Sequence, residues 1–278
     1  MKISTFSAQQ FESRHNLGFC PKKYSTFKYG NKTVAREFGY ELGEKFVHSA
    51  VYRELQNEFD LSQIPMVVSS APYKFIPTAS FSLKDYFVHK FNCFHALKFG
   101  KSVEDFKVFR AHSYHDDYGS MSKAARDQAI TSDDFYIDAQ FIQGKILVFI
   151  DDIKITGSHQ TRIESLLKVN NFDGRVVFLY YAELIGEDEP QIENYLNLHV
   201  INSLRDINKI IREDEFLFNT RVVKFILNRD ETEFENFIHF QSRKFNETLL
   251  HYALGNEYFK EPRYQKNFNT LVEYVNNK

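Results

Sequence analysis

One stretch restricts the fold of this chain more than any other: KILVFIDDIKITGSH, residues 145–159. Residues 146–150 are all apolar and read as a buried strand. Burial explains the run but not its ending. Asp151 and Asp152 stand side by side at the exit, and Thr156-Gly157-Ser158 follow before a helical pattern opens in SHQTRIESLLKVN. A strand that ends in two carboxylates and a hydroxyl-rich turn is arranged for a ligand.

The rest of the chain sets that strand in a sheet. IPMVVSS is a short apolar run giving way to small residues, a strand entering a loop; FKVFRAHS and GRVVFLYYAEL read as further strands. Between them NKTVAREFGYELGEKFVHSAVYRELQ and SFSLKDYFVHKFNCFHALKF carry apolar residues near helical spacing. Strands alternating with helices predict an α/β fold, an open and mostly parallel twisted sheet flanked by helices. After residue 190 the pattern changes to helices alone, so we expect two regions: an α/β domain over 1–190 and a helical C-terminal region over 191–278.

Composition excludes several classes. The 278 residues carry a formal net charge of -2, which points to neither nucleic acid nor an acidic membrane surface as an obligate partner. Cys20 and Cys93 have no metal-ligand spacing, which fits a reducing compartment, and a cytoplasmic location is expected. The N-terminal segment lacks the apolar core of a signal peptide, and no stretch is apolar enough to suggest a transmembrane helix.

In open parallel sheets, ligands sit beyond the carboxyl ends of the strands. Asp151 and Asp152 fall at such an end, and a helix begins near Ser158. Backbone N–H groups at a helix start attract phosphate, and Gly157 permits a close approach or a positive φ. Carboxylates would repel a bare phosphate, but they suit sugar hydroxyls and a metal. The ligand these residues imply is a 5-phosphorylated ribose.

With these residues in view, the chain resembles the type I phosphoribosyltransferases, of the hypoxanthine-guanine branch in its core. Their signature of an apolar strand, two acids, three variable residues and Thr-Gly plus a small hydroxylated residue stands here as ILVFIDDIKITGS. VVSSAPYKF occupies the place of the family's pyrophosphate loop, and RAHSYHDDYG that of its flexible loop.

The resemblance implies transfer of a phosphoribosyl group from 5-phosphoribosyl-1-pyrophosphate (PRPP), with Mg2+, to a nitrogenous acceptor of unassigned identity. By it, Asp151 and Asp152 bind the ribose hydroxyls, favour developing positive charge and approach the metal through PRPP or water. Ser113 and Tyr114 close over the reaction centre. Ile155, Thr156, Gly157, Ser158 and His159 surround the 5-phosphate, while Ser69, Ser70, Ala71, Lys74 and Arg110 border the pyrophosphate. The sequence departs from the purine-using pattern at Ile155, where an acid is common, and after the next strand, where Tyr180, Tyr181 and Glu183 replace a lysine.

Other readings stay open. The same fold could bind PRPP as a non-catalytic regulator, or the C-terminal helices could serve as a protein-interaction module. A symmetric homodimer is the default oligomer. His112, His115, Asp116 and Asp117 are metal-capable residues but adjacent on a loop, and a preorganised metal cluster is not expected there.

Overall fold

The computed structural model describes residues 1–111, 135–187, 191–213 and 215–277. Its centre is a five-stranded sheet in the order β1-β7-β6-β2-β3, with every neighbouring pair parallel. The strands are β1 (Lys2–Phe11), β2 (Met66–Ser70), β3 (Glu104–Asp105), β6 (Ile146–Lys154) and β7 (Arg175–Leu184). A separate antiparallel ribbon joins β4 (Phe109–Arg110) to β5 (Phe135–Tyr136). The expected α/β architecture, an open parallel sheet between helices with a helical C-terminal appendage, is present.

Alternation along the strands sorts the two faces. Val68, Val148, Ile150 and Leu179 point into one apolar cluster, under α1 (Pro21–Lys28), α2 (Lys32–Val47), α3 (Ala50–Glu58) and α4 (Ala79–Phe99). Val67, Leu147, Phe149 and Phe178 point into the other, with α5 (Ala139–Ile142) and α6 (Ser158–Val169). A β-carbon on Gly39 would lie 2.5 Å from Tyr86 Cβ and 2.7 Å from the Leu83 carbonyl, so only glycine lets α2 lie this close to α4.

The order of the strands locates a crevice. From β2 the chain crosses through α4 to β3, toward one edge; from β6 it crosses through α6 to β7, toward the other. The helices of these two crossovers therefore cover opposite faces, and the switch point lies between β2 and β6. Ser70, the last residue of β2, pairs with Ile150 there, which places Ala71 level with Asp151, while β6 runs on to Lys154.

Three expectations need correction. The helical pattern over 31–56 is two helices: α2 ends at Val47 with His48 as its C-cap, and the Ser49 side chain, accepting from the Tyr52 N–H, caps α3. Among its described residues FKVFRAHS supplies the short strand Phe109–Arg110, which lies in the ribbon rather than the central sheet, whose edge strand β3 just precedes it. KISTFSAQQF, unassigned in the sequence, is the edge strand β1. Its residues are half-buried on both faces, so no clear period-2 pattern marks it.

The C-terminal helices are α7 (Ile192–Asn197), α8 (Leu204–Ile211), α9 (Thr220–Leu227), α10 (Glu231–Phe240), α11 (Arg243–Gly255) and α12 (Pro262–Asn276). Ser203, Asn219, Asp230 and Ser242 each accept a first-turn N–H and so start four of them. The helices share an apolar cluster that also takes in Tyr29 and Ile76. Polar bonds fix them beside the crevice. The Asn256 side chain accepts from the Phe75 and Ile76 N–H groups, and the Thr220 hydroxyl donates to the Ile76 carbonyl at 2.8 Å. Among the described residues, no helix is long and apolar enough to cross a membrane.

Candidate active site

A cavity of 340 Å³ opens at the switch point, with Asp151, Asp152 and Ala71 on the sheet side and α9 and α12 opposite. A smaller recess of 70 Å³ adjoins it, lined without interruption by residues 151–160. Asp151, Asp152 and His159 line both spaces.

The two carboxylates are adjacent in sequence but engage opposite layers. Asp152 has its nearest partners on α1: Lys28 Nζ lies 2.5 Å from Oδ2, and the Tyr24 hydroxyl donates to the same oxygen. Tyr24 and Lys28 are four residues apart, one turn of helix, so one face of α1 brings both. Asp151 bonds toward α6, where its Oδ2 lies 3.0 Å from His159 Nδ1. Its Oδ1 accepts the Asp152 backbone N–H at 2.9 Å.

These surroundings drive the two acids apart. Burial pushes the Asp151 carboxyl up, the bond to His159 opposes it, and the charge on Asp152 adds to the rise; the net direction is upward. Burial also pushes Asp152 up, but the Lys28 ammonium and the bonds from Lys28 and Tyr24 outweigh it and hold the acid below its ordinary value. Lys28 and Tyr24 favour the ionised form of Asp152, whereas burial disfavours that of Asp151. Burial and the Asp152 charge together push the Tyr24 phenol well above its ordinary range, so it remains a donor.

The turn after β6 is the candidate anion cradle. Gly157 has φ +73° and caps α6 with no side chain of its own. The Thr156 and Ser158 hydroxyls lie 2.8 Å apart, and the Ser158 N–H donates to Thr156 Oγ1. First-turn amides at the start of a 12-residue helix offer partial positive charge to an anion.

Most of the residues singled out in the sequence come together here. Ile155, Thr156, Gly157, Ser158 and His159 line the smaller recess. Ala71 and Arg110 line the large cavity, and Ser70 borders a third small space next to Asp151 and His159. His159 is attached to Asp151 as well as standing beside the cradle.

Four described residues do not join them. Ser69 is buried, with its hydroxyl on the Ser70 carbonyl, and Lys74 is paired with Glu257 on the C-terminal side. Tyr181, one of the residues standing where the purine pattern has a lysine, is a core residue stacked on Phe38 with ring centroids 3.9 Å apart. Glu183 accepts from Lys154 at 2.8 Å and from the Ser7 hydroxyl. Ser113 and Tyr114, with His112, His115, Asp116 and Asp117, lie outside the described residues.

Sequence reasoning missed Tyr24 and Lys28, although a helix opened by Pro21 with the two spaced i, i+4 was the signal available. It also missed Glu193, Arg221, Lys224 and Arg263, which line the large cavity from the C-terminal helices. No local pattern marks them, because their role comes from tertiary docking.

A family profile, PRTase ComF-like, matches residues 3–271 of the sequence. The chain belongs to the PRTase ComF-like family. That match spans the sheet and the C-terminal helices together, so the appendage is part of what defines this ComF-like member. No curated protein matches the chain. One solved structure, described as the allosteric regulatory enzyme of purine biosynthesis, aligns at 15% identity with a TM-score of 0.33. The alignment covers 76% of this chain and 42% of the other, so the chain spans less than half the length of that protein.

Proposed function

We propose that this protein is a phosphoribosyltransferase, binding PRPP with Mg2+ and transferring the phosphoribosyl group to a nitrogenous acceptor. One observation carries the reading: half-buried Asp151, buried Asp152 and the Gly157 cradle line one recess at the switch point of the sheet. Sugar hydroxyls and a 5-phosphate need those two chemistries side by side. Membership of the PRTase ComF-like family supports the same conclusion.

In this reading the turn over Thr156, Gly157 and Ser158 holds the 5-phosphate, and Asp151 and Asp152 hold the ribose hydroxyls. The C1–O bond to pyrophosphate breaks, a C1–N bond forms, and the acceptor nitrogen loses its proton. Positive charge grows on the ribose ring as pyrophosphate departs, and the ionised Asp152 stabilises it. Ala71 and Arg110 border the departing pyrophosphate. Lys28 keeps Asp152 ionised, and His159 keeps Asp151 oriented.

The donor set fits Mg2+ carried by the substrate. Among the described residues no group of three or more His, Cys, Asp or Glu could form a protein cage. Mg2+ usually keeps several waters and takes one or two carboxylates beside phosphate oxygens. Asp152 already faces the Lys28 ammonium, so Asp151 is the carboxylate on offer. Bound there, the metal would neutralise pyrophosphate charge.

A second reading, a PRPP-binding regulator without turnover, is favoured by Lys74, whose charge is engaged by Glu257. Release of pyrophosphate from PRPP over a panel of nucleobases and amines separates the two. Turnover with any acceptor selects the enzyme; Mg2+-dependent PRPP binding with no turnover across the panel selects the regulator.

A further inference from the structure

Two C-terminal helices grip the loop that follows β2. That loop runs from Ala71 to Thr78, where α4 begins. Both of its ends face the large cavity: Ala71 lines it on one side, Thr78 and Ala79 on the other. The middle of the loop is bonded to the C-terminal region. The Asn256 side-chain oxygen, in the turn after α11, accepts the N–H groups of Phe75 at 3.1 Å and Ile76 at 3.0 Å. From the start of α9, the Thr220 hydroxyl donates to the Ile76 carbonyl at 2.8 Å, and the Thr220 N–H donates to the Pro77 carbonyl at 2.9 Å.

The gripping turn is itself fixed. Asn256 is buried, and its amide nitrogen donates to the buried Tyr258 hydroxyl at 2.9 Å. That bond sets which end of the side chain meets the loop. The Phe75 ring leaves no room for a β-carbon on Gly255. Glu257 holds Lys74 while its own backbone is left-handed, at φ +59°. A residue with a β-carbon keeps such a conformation only where its surroundings over-determine it. Gly255, Asn256 and Glu257 thus meet Phe75, Ile76 and Lys74 as one unit.

Docking alone would need only apolar burial, which the cluster around Tyr29 and Ile76 already supplies. Bonds to consecutive amides and carbonyls do something that burial cannot. They fix the backbone of the loop, and with it the shape that its two ends present to the cavity.

We propose that Asn256 and Thr220 are positioning residues for the pyrophosphate end of PRPP, acting through the β2–α4 loop. The inference rests on the phosphoribosyltransferase reading, which puts the departing pyrophosphate beside Ala71 and the 5-phosphate at the Gly157 turn. The two ends of the substrate then depend on different parts of the chain. The 5-phosphate end depends on the β6–α6 turn, and the pyrophosphate end on the C-terminal helices. Asn256 does not line the cavity, so it serves the ligand only by holding the loop.

The test is calorimetry on the full chain with Mg2+ and three probes: PRPP, inorganic pyrophosphate and ribose 5-phosphate. Three variants are compared with the wild type. Asn256→Ala removes the acceptor, Asn256→Asp keeps an oxygen for the two amides, and Thr220→Val keeps the shape and removes the hydroxyl donor. We expect Asn256→Ala and Thr220→Val to weaken PRPP and pyrophosphate by about tenfold each and to leave ribose 5-phosphate unchanged. Asn256→Asp recovers most of that loss. Should Asn256→Ala fail to fold, judged by circular dichroism, Thr220→Val decides.

Unchanged pyrophosphate affinity in folded Thr220→Val, or an equal loss for all three probes, overturns the inference. Wild-type binding of PRPP in that same experiment would leave the phosphoribosyltransferase reading standing. A wild type that binds neither PRPP nor pyrophosphate overturns that reading and the inference with it.

Discussion

Lys28 Nζ lies 2.5 Å from Asp152 Oδ2, with both side chains at least nine-tenths buried. A helix that precedes the sheet's second strand thus neutralises a carboxylate near the end of its sixth. Removing one partner of such a pair leaves an uncompensated buried charge and costs about 3–5 kcal/mol. We predict that Lys28→Met destabilises the chain by about 3 kcal/mol or more in urea unfolding. Adding Asp152→Asn recovers most of that loss. A double variant as unstable as the sum of the two singles would show that the pair is not coupled.

His159 acts on the other carboxylate, at 3.0 Å from Asp151 Oδ2. Partners that orient a metal-facing ligand typically matter by 10–100-fold in affinity or activity. His159→Ala is expected to lower Mg2+-dependent PRPP affinity about tenfold, and His159→Asn, which keeps an N–H donor, to recover part of it. Titrations at several Mg2+ concentrations check this. Equal affinity in the wild type and the alanine variant would remove His159 from the account.

Gly157 links backbone conformation to the cradle. A left-handed conformation costs a residue with a β-carbon roughly 1–2 kcal/mol, and at φ +73° Gly157 occupies it. An added β-carbon would meet Lys154 Cε at 3.5 Å, ordinary contact, so the penalty is conformational rather than steric. Gly157→Ala should therefore fold with a stability loss of about 1 kcal/mol and a larger loss of PRPP affinity, because the loop relaxes away from its strained shape. Unchanged affinity beside lowered stability would mean the cradle does not touch phosphate.

A histidine far from the site sets an acid limit. His95 is buried between Phe91 and Phe99, with each ring centroid 5.0 Å away, and its Nδ1 meets the Tyr52 hydroxyl at 2.9 Å. Burial pulls its pKa from 6.5 down to about 4. Between those values the unfolded chain binds the extra proton. The stability from neutral His95 is therefore fully present above pH 6.5 and is lost as the pH falls toward about 4. The unfolding constant should rise up to about tenfold per pH unit in that window from this group. His95→Gln should flatten that part of the stability curve, measured as urea midpoint against pH. An equally steep curve in the variant would place the sensitivity elsewhere.

How far the sequence carries depends on where each signal resides. Residues 146–150 and 176–182 are buried on both faces, so unbroken apolar runs announce β6 and β7. β1 pairs along its length with β7 but lies at the edge and is half-buried, so its sequence reads as polar and mixed. The carboxylates and the Gly157 turn are contiguous, hence legible. Their partners Tyr24, Lys28 and His159 answer to three-dimensional neighbours; only His159 is close enough in the chain to be singled out. Lys74 looked like a counter-charge until Glu257, 183 residues later, was placed against it.

The central claim is that a phosphorylated pentose docks between the Asp151–Asp152 pair and the Gly157 cradle. Calorimetric titration of PRPP with Mg2+ into the wild type and into Asp151→Asn with Asp152→Asn tests it most directly. The account predicts Mg2+-dependent binding to the wild type that weakens by about tenfold or more in the double variant, whose fold is verified by circular dichroism. No binding to the wild type, or the same affinity in the folded double variant, would contradict it.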